Sequence, residues 1–469
     1  MGRRKQILQD VSIIDIADKG HAIGKTPQGE IVILYGGTVP GDVVNMRVAK
    51  KKKGLKHGYV LEVTQLSEDR VAHQCSSFGT CGGCKWQNLD YSKQVHLKEN
   101  AVRQVIQRIA KDDPDKVENI RAASEIYEYR NKLEYTFSTK RWLTQEEIES
   151  GEDFSQRAGL GFHIAGAFDK VLDIDKCHLQ EDLTNQIRNT LRDLAQEHQW
   201  SFYDIRGNHG LLRNIIVRNS TLGEWMVTMI FGEKNEEAIE QVMSTLVSTF
   251  PNITSWHYIV NTKANSSFID LPSIHYNGAT HIKEKLGEVT YRISPKSFFQ
   301  TNSHQAKTLY DTALSLCDLE ASDVVYDLYT GTGSIALYLA KSCKKVVGIE
   351  IIEEAIQDAK INSELNNIDN ATFLVGDVKD LLDVEFHKRH GRPDLVITDP
   401  PRAGMHEEVV QTLLMLEAPR IVYISCNPST QARDILLLKE KYQLEKVVPV
   451  DMFPHTSHIE SVALLKLQS

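Results

Sequence analysis

The sequence predicts a multidomain α/β protein whose C-terminal third is a doubly wound, Rossmann-like parallel sheet. Three observations predict it. From residue 291 to 469, short β-branched runs alternate with helical patterns. A glycine loop, Gly331-Thr332-Gly333, stands between the first run and the first helix. The runs end in Glu350, Asp377, Asp399 and Cys426 or close to them, at the sheet edge where open α/β sheets bind ligands. Predicted strands are Val324-Tyr329, Lys345-Ile349, Thr372-Val375, Asp394-Thr398 and Ile421-Ser425, with helices starting at Ser334 and Glu353.

At 469 residues the chain suits about three domains, and 41% apolar residues suffice for ordinary cores. The net charge of -9 disfavours a generic nucleic-acid binder, but residues 1 to 60 hold eleven Lys and Arg against five Asp and Glu. That stretch is basic by 6, so the remainder carries about -15. No run approaches the ~18 apolar residues of a membrane helix, and Met1 to Asp10 is charged with no apolar stretch behind it, so no membrane partner and no signal peptide are expected. Seven cysteines, three of them clustered, fit a reducing compartment better than a disulfide framework. Cytoplasmic location is expected.

Residues 1 to 66 form the first predicted domain. Short strands at Val11-Ile16, Glu30-Leu34, Asp42-Ala49 and Tyr59-Thr64, broken by Gly36-Gly37 and Pro40-Gly41, argue for a small OB-like barrel that binds oligonucleotides. Lys50 to Lys53, with Lys56 and His57 following, are expected in a strand-to-strand loop contacting phosphate.

The second domain spans 67 to 290. Cys75, Cys81 and Cys84 lie within ten residues among Gly79, Gly82 and Gly83, and three thiols so close imply a ligand. Cys177 is the available fourth; zinc and an iron-sulfur cluster both accept four thiolates. Tyr91 to Ala110 reads as an amphipathic helix. Beyond it, strands at Leu133-Phe137, Gly159-His163, Leu212-Arg218 and Trp225-Ile230 alternate with helices at Leu183-Gln196 and Glu236-Phe250, an α+β arrangement. Thr144 to Asp153, acidic and poor in apolar residues, is expected to be a mobile loop.

The third domain, 291 to 469, carries the chemistry. Gly331 and Gly333 allow close backbone approach at a helix N-terminus, and Glu350 can accept ribose hydroxyls, so a nucleoside-containing cofactor is expected. The glycine pattern alone also fits a dinucleotide. Asp327, four residues before Gly331, and Asp399-Pro400-Pro401 favour S-adenosylmethionine, because a carboxylate suits a cationic sulfonium.

These residues resemble the RNA uracil methyltransferases that form 5-methyluridine, in particular their RumA-like ribosomal branch. The resemblance covers nearly the whole chain. Pro40-Gly41 and the basic barrel resemble that family's TRAM domain, and Cys75, Cys81, Cys84 and Cys177 resemble its [4Fe-4S] ligands. Ser297-Phe298-Phe299-Gln300-Thr301-Asn302 resembles the segment leading into its catalytic domain, where the glutamine meets the donor. Asp327 to Gly333, with Tyr329 at the aromatic position, Glu350 and Asp377 match its cofactor loop; Ser334 departs from an asparagine expected in some members. Asp399-Pro-Pro-Arg402-Ala-Gly404, Ser425-Cys426-Asn427-Pro428 and His458-Ile459-Glu460 match its catalytic motifs.

The resemblance implies a class I, S-adenosylmethionine-dependent enzyme acting on 23S ribosomal RNA, with the target uracil flipped out of its stack. Carbon 5 of uracil is a poor nucleophile until a thiolate adds at carbon 6, which gives Cys426 its expected role, and Glu460 is the expected base for the carbon 5 proton. Gln300 and Asp399 are expected to line the pocket. Amine methylation would need no cysteine at this strand end; cytosine methylation would use the same thiolate, and an inactive iron-sulfur RNA-binding module would not need Cys426 and Glu460 intact. A transfer-RNA enzyme is the alternative, and the basic barrel with the cysteines favours a ribosomal target. Cys317 and Cys343 are expected core residues, and no obligate protein partner is evident.

Overall fold

The computed structural model describes residues 6–16, 20–154, 157–164, 167–382 and 384–468. The start of the basic segment, residues 1–5, lies outside the described residues. The chain divides into two compact units: residues 1–101 with 453–458, and residues 102–452 with 459–469. The barrel and the three clustered cysteines therefore share the first unit, so the expected second domain, 67–290, is divided after residue 101, and its remainder shares the second unit with the expected catalytic domain apart from 453–458.

In the first unit, β1 (Ile7–Ile16), β2 (Ala22–Lys25), β3 (Ile31–Tyr35), β4 (Val43–Lys52) and β5 (Leu55–Gln65) close a barrel in the order β1-β2-β3-β5-β4. Its interior is Val11, Ile13, Val32, Leu34, Val44 and Met46, the alternate residues of their strands. β2 escaped the sequence reading because four residues with Gly24 inside them offer no alternation. The lysine loop is a correction. Lys50 to Lys52 belong to β4, and only Lys53 and Gly54, at φ +48° and +82°, turn the chain into β5. Two successive left-handed residues make the tight hairpin turn whose twist matches paired strands, so the lysines ride on a hairpin. The helix α1 (Tyr91–Val105) ends in a single π turn, Ile106–Ala110.

In the second unit, β6 (Lys132–Ser138), α2 (Gln145–Ser150), β7 (Gly159–Ile164), β8 (Ala167–Asp173), α3 (Leu183–Glu197), β9 (Leu212–Asn219), β10 (Trp225–Phe231), α4 (Glu236–Thr249), β11 (Ser255–Val260) and β12 (Ile274–Gly278) come first. Their strands form one sheet, ordered β12-β11-β10-β9-β6-β7-β8. The expected loop at 144–153 instead contains α2, because Thr144 and Glu147 complete a reciprocal capping box and Arg141 grips the Glu147 carboxylate at 2.7 Å. A hairpin of β13 (Ile282–Leu286) and β14 (Val289–Ile293) leads to α5 (Ser303–Cys317).

The remaining elements are β15 (Val324–Leu328), α6 (Ser334–Ala340), β16 (Lys345–Glu350), α7 (Glu353–Leu365), β17 (Ala371–Val375), α8 (Val378–Leu381), α9 (Val384–His390), β18 (Leu395–Thr398), α10 (Glu407–Leu416), β19 (Arg420–Ser425), α11 (Pro428–Leu438), β20 (Tyr442–Val450) and β21 (Glu460–Leu467). The sheet order is β17-β16-β15-β18-β19-β21-β20. The first five strands are parallel, whereas β21 runs antiparallel to both its neighbours. Near-continuous apolar runs such as Ile421 to Ile424 are buried throughout, as a sheet covered on both faces requires. The order reverses between β15 and β18, which places the ligand crevice at their carboxyl ends. No described helix is long and apolar enough to cross a membrane.

Candidate active site

Cys426 follows the last residue of β19 and Asp399 the last of β18, while Glu460 opens β21 beside them, with Ser461 paired to Ser425. Antiparallel β21 thus starts where β19 ends, and three chemically active side chains share one sheet edge. Burial pushes the Cys426 thiol up to about 11; the Glu460 and Asp399 carboxyls add to the rise, while the Arg402 guanidinium, hydrogen-bonded to the sulfur, opposes it. Asp399 is pushed up to about 7 by burial. Glu460 is raised well above the usual carboxylate range, first by burial and then by Asp399, against the pull of Arg402. Two such carboxyls in one desolvated site disfavour double ionisation.

The loops bearing these groups are braced to each other. Asn427 caps α11, accepting from the amide of Ser429, and its Nδ2 donates to the carbonyl of Arg402 at 3.1 Å; the Thr430 hydroxyl donates to the same oxygen. Fully buried Asp434 accepts from the amide of Met405 at 2.9 Å and the hydroxyl of Tyr423 at 2.7 Å. Gly404 turns this loop at φ +80°, and a Cβ there would lie 2.6 Å from both Arg433 Nη2 and Asp434 Oδ2.

The glycine loop lies at the neighbouring strand end. Tyr329 takes φ +63°, and Gly331 and Gly333 take +54° and +75°. A Cβ on Gly331 would meet nothing within 4 Å, so the backbone faces open space there. Glu350 accepts from the amide of Gly331 at 3.2 Å and from those of Ile351 and Ile352 at 2.9 and 3.1 Å. Asp377 caps α8 through the amide of Lys379. Asp327 is fully buried: Oδ2 accepts from the Thr330 hydroxyl at 2.5 Å and the Ala336 amide at 3.1 Å, while Oδ1 has no partner. Burial, with smaller contributions from Asp399 and Glu350, lifts it to about 7 despite those hydrogen bonds. An open cradle of backbone and an orphaned buried carboxyl oxygen fit a polar, cationic cofactor. Ser334, the departure from the family pattern, accepts a 3.0 Å hydrogen bond from Tyr310.

Gln300 is buried in the segment before α5, where Asn131 holds its carbonyl at 2.9 Å and also contacts Thr301 and Ser303. Asn302 caps α5 and donates to the carbonyl of Met452 at 3.0 Å. Phe298, two residues before Gln300, is 71% exposed. The sequence reading missed Asn131 altogether and gave Arg402 no catalytic part. A polar residue just before a strand is too common a signal for the first, and Arg402 carries no role of its own in the sequence beyond its place in the Asp399 to Gly404 motif.

Cys75, Cys81 and Cys84 fall in the first unit and Cys177 in the second. The Cys81 sulfur accepts from the amide of Gly83 at 3.4 Å; burial raises its thiol, and neighbouring Cys75 adds to that. Among the described residues, no group of three or more His, Cys, Asp or Glu side chains is arranged to hold a metal ion. Cys317 and Cys343 are buried, as expected of core residues.

Residues 214–468 match the family model described as tRNA (Uracil-5-)-methyltransferase. An RNA methyltransferase of Bacteroides thetaiotaomicron, described as uncharacterized, is 47% identical over 97% of this chain and 100% of its own length. One of Chlorobaculum tepidum, so described too, is 37% identical over 98% and 96%. The solved Pyrococcus abyssi tRNA (uracil-54, C5)-methyltransferase, in complex with S-adenosyl-L-homocysteine, is 29% identical with a TM-score of 0.75, covering 98% of this chain and 100% of that one. The chain belongs to the tRNA (uracil-5-)-methyltransferase family and is an S-adenosylmethionine-dependent RNA methyltransferase.

Proposed function

We propose that this enzyme forms 5-methyluridine in RNA through a covalent intermediate on Cys426. The observation that carries the reading is the meeting of Cys426, Arg402, Asp399 and Glu460 at one sheet edge beside the glycine loop. Asp327, Tyr329, Gly331, Gly333, Glu350 and Asp377 hold the donor, with Gln300 and Asp399 lining the pocket between donor and base. The donor supplies the methyl group and a sulfonium charge that favours ionised carboxyls beside it. The Cys426 thiolate, favoured by Arg402, bonds to carbon 6 and drives the ring electrons into an enolate. Carbon 5 then takes the methyl as the sulfur–methyl bond breaks. Glu460 removes the carbon 5 proton, carbons 5 and 6 regain their double bond, and the cysteine leaves. Phe298 offers an exposed aromatic face for a base unstacked from the RNA.

We assign residues 1–66 to RNA binding as a TRAM-like barrel, 67–290 to a central domain and 291–469 to methyl transfer. We also propose that Cys75, Cys81, Cys84 and Cys177 hold a structural [4Fe-4S] cluster. The Gly83 amide directed at Cys81 suits a metal-bound thiolate, which needs backbone donors. Anaerobically purified protein should contain about four iron and four sulfide per chain. Colourless protein with one zinc would refute this.

The proposed target is 23S ribosomal RNA in the cytoplasm. Transfer RNA is the second reading, favoured by a specific observation: a tRNA enzyme aligns with 98% of this chain, so the length of the N-terminal region does not by itself argue for ribosomal RNA. Nucleoside mass spectrometry of ribosomal and transfer RNA from cells with and without the protein decides between them. Loss of 5-methyluridine from neither RNA would overturn the function.

A further inference from the structure

The sheet of the second unit contains a juxtaposition that its fold does not require. Lys132 on β6 stands directly opposite Arg218 on β9, and like charges in that register destabilise a sheet. Arg218 is 4% exposed, its Nε has no partner, and its guanidinium reaches the Ser297 carbonyl at 3.1 Å. No carboxylate of the described residues forms an ion pair with it, and burial lowers it only to about 10, so it stays cationic at neutral pH. Arg130, just before β6, adds a third positive charge acting on Lys132. Among the described residues, the acid acting on Lys132 is Glu134, two residues along the same face of β6, which accepts from Asn214. A buried guanidinium with a free donor, opposite an ammonium, is an incomplete ion pair awaiting an anion.

We propose that Arg218 and Lys132 form a binding site for a phosphodiester of the substrate RNA, adjacent to the nucleotide that enters the active site. Position supports this choice of anion. Arg218 is bonded to the backbone of Ser297, three residues before Gln300 and one before exposed Phe298, so a phosphate held there is tied to the segment that lines the base pocket. The inference rests on RNA being the substrate and adds a fixed point on its backbone.

The test uses the full chain and a fluorescein-labelled single-stranded RNA containing the methylated uracil, with binding read by anisotropy across salt and turnover read separately. Lys132→Gln, at a half-buried position that tolerates a neutral side chain, should weaken RNA binding roughly tenfold and flatten the log–log salt slope by about one. The value of kcat and S-adenosylmethionine affinity should stay within about twofold, since neither chemistry nor donor is touched. Glu134→Gln should do the opposite and tighten RNA binding about threefold, an effect no purely structural role predicts. An unchanged slope in Lys132→Gln overturns the proposal. So does a fall in donor affinity, which would mean that the anion is the donor's own carboxylate. If the wild type binds RNA without methylating it, the catalytic reading fails, yet the slope comparison still decides this one.

Discussion

Replacing Arg402 with glutamine tests how the thiol of Cys426 is activated. In the wild type the thiol is held up to about 11, so at pH 7 only about one molecule in 10⁴ carries a thiolate. The Arg402 side chain is the cation that works against that rise. Because Arg402 is exposed, solvent screens its interaction with the thiolate to about 1 kcal/mol. Arg402→Gln should therefore cut the thiolate fraction about fivefold at any pH below the midpoint. The assay is alkylation by iodoacetamide between pH 8 and 11.5, without donor or RNA, quantified on the peptide containing Cys426. Wild-type rates should climb tenfold per pH unit towards about 11, the Arg402 variant should run about fivefold slower, and Asp399→Asn should run faster. Equal rates for the wild type and Arg402→Gln, or a wild-type plateau already at pH 8.5, would refute the account.

Three further outcomes are expected. Glu460→Gln should permit addition and methyl transfer but stall proton removal, so a denaturation-resistant conjugate of protein and methylated RNA should accumulate on gels; weak RNA binding with no conjugate would make Glu460 structural. Asp327 has a folded-state pKa raised from 3.8 to about 7, so the folded chain keeps a proton that the unfolded chain releases, and stability falls as pH rises through that window. In donor-free protein, the melting temperature of Asp327→Asn relative to wild type should thus increase from pH 4 to 7.5, with ~4 kcal/mol as the upper bound, and a pH-independent difference would contradict it. Gly404→Ala should destabilise the chain by about 2 kcal/mol or more, since it forces a left-handed alanine against Arg433 and Asp434, and an unchanged melting temperature would mean that the loop yields.

Strands β16, β18 and β19 were legible because parallel strands buried on both faces are written as nearly unbroken apolar runs, and these runs end at or just before Glu350, Asp399 and Cys426. The same rule exposed Cys426 and Asp399. What stayed hidden depends on pairing over distance. Lys132 and Arg218 are 86 positions apart, and only the β6–β9 register brings them face to face. Asn131 likewise acts on residues about 170 positions away. The helix after Thr144 was different, since its T-x-x-E capping signal was present in the sequence and was outweighed by acidic composition.

The six residues 453–458 leave the second unit after Met452 and return to it at Ile459, so the polypeptide passes between the units three times. Within the first unit, His455 adopts φ +63°, its carbonyl takes the amides of Lys85 and Trp86 at 2.7 and 3.1 Å, and its own amide donates to Gln94 at 2.9 Å. A cut between residues 101 and 102 therefore does not free an independent module. The N-terminal piece keeps part of its own interior on the other fragment, and the two should travel together through a sizing column until denatured. Grafting this barrel onto another enzyme would require transplanting a short internal strap along with it, and that strap ends two residues before Glu460.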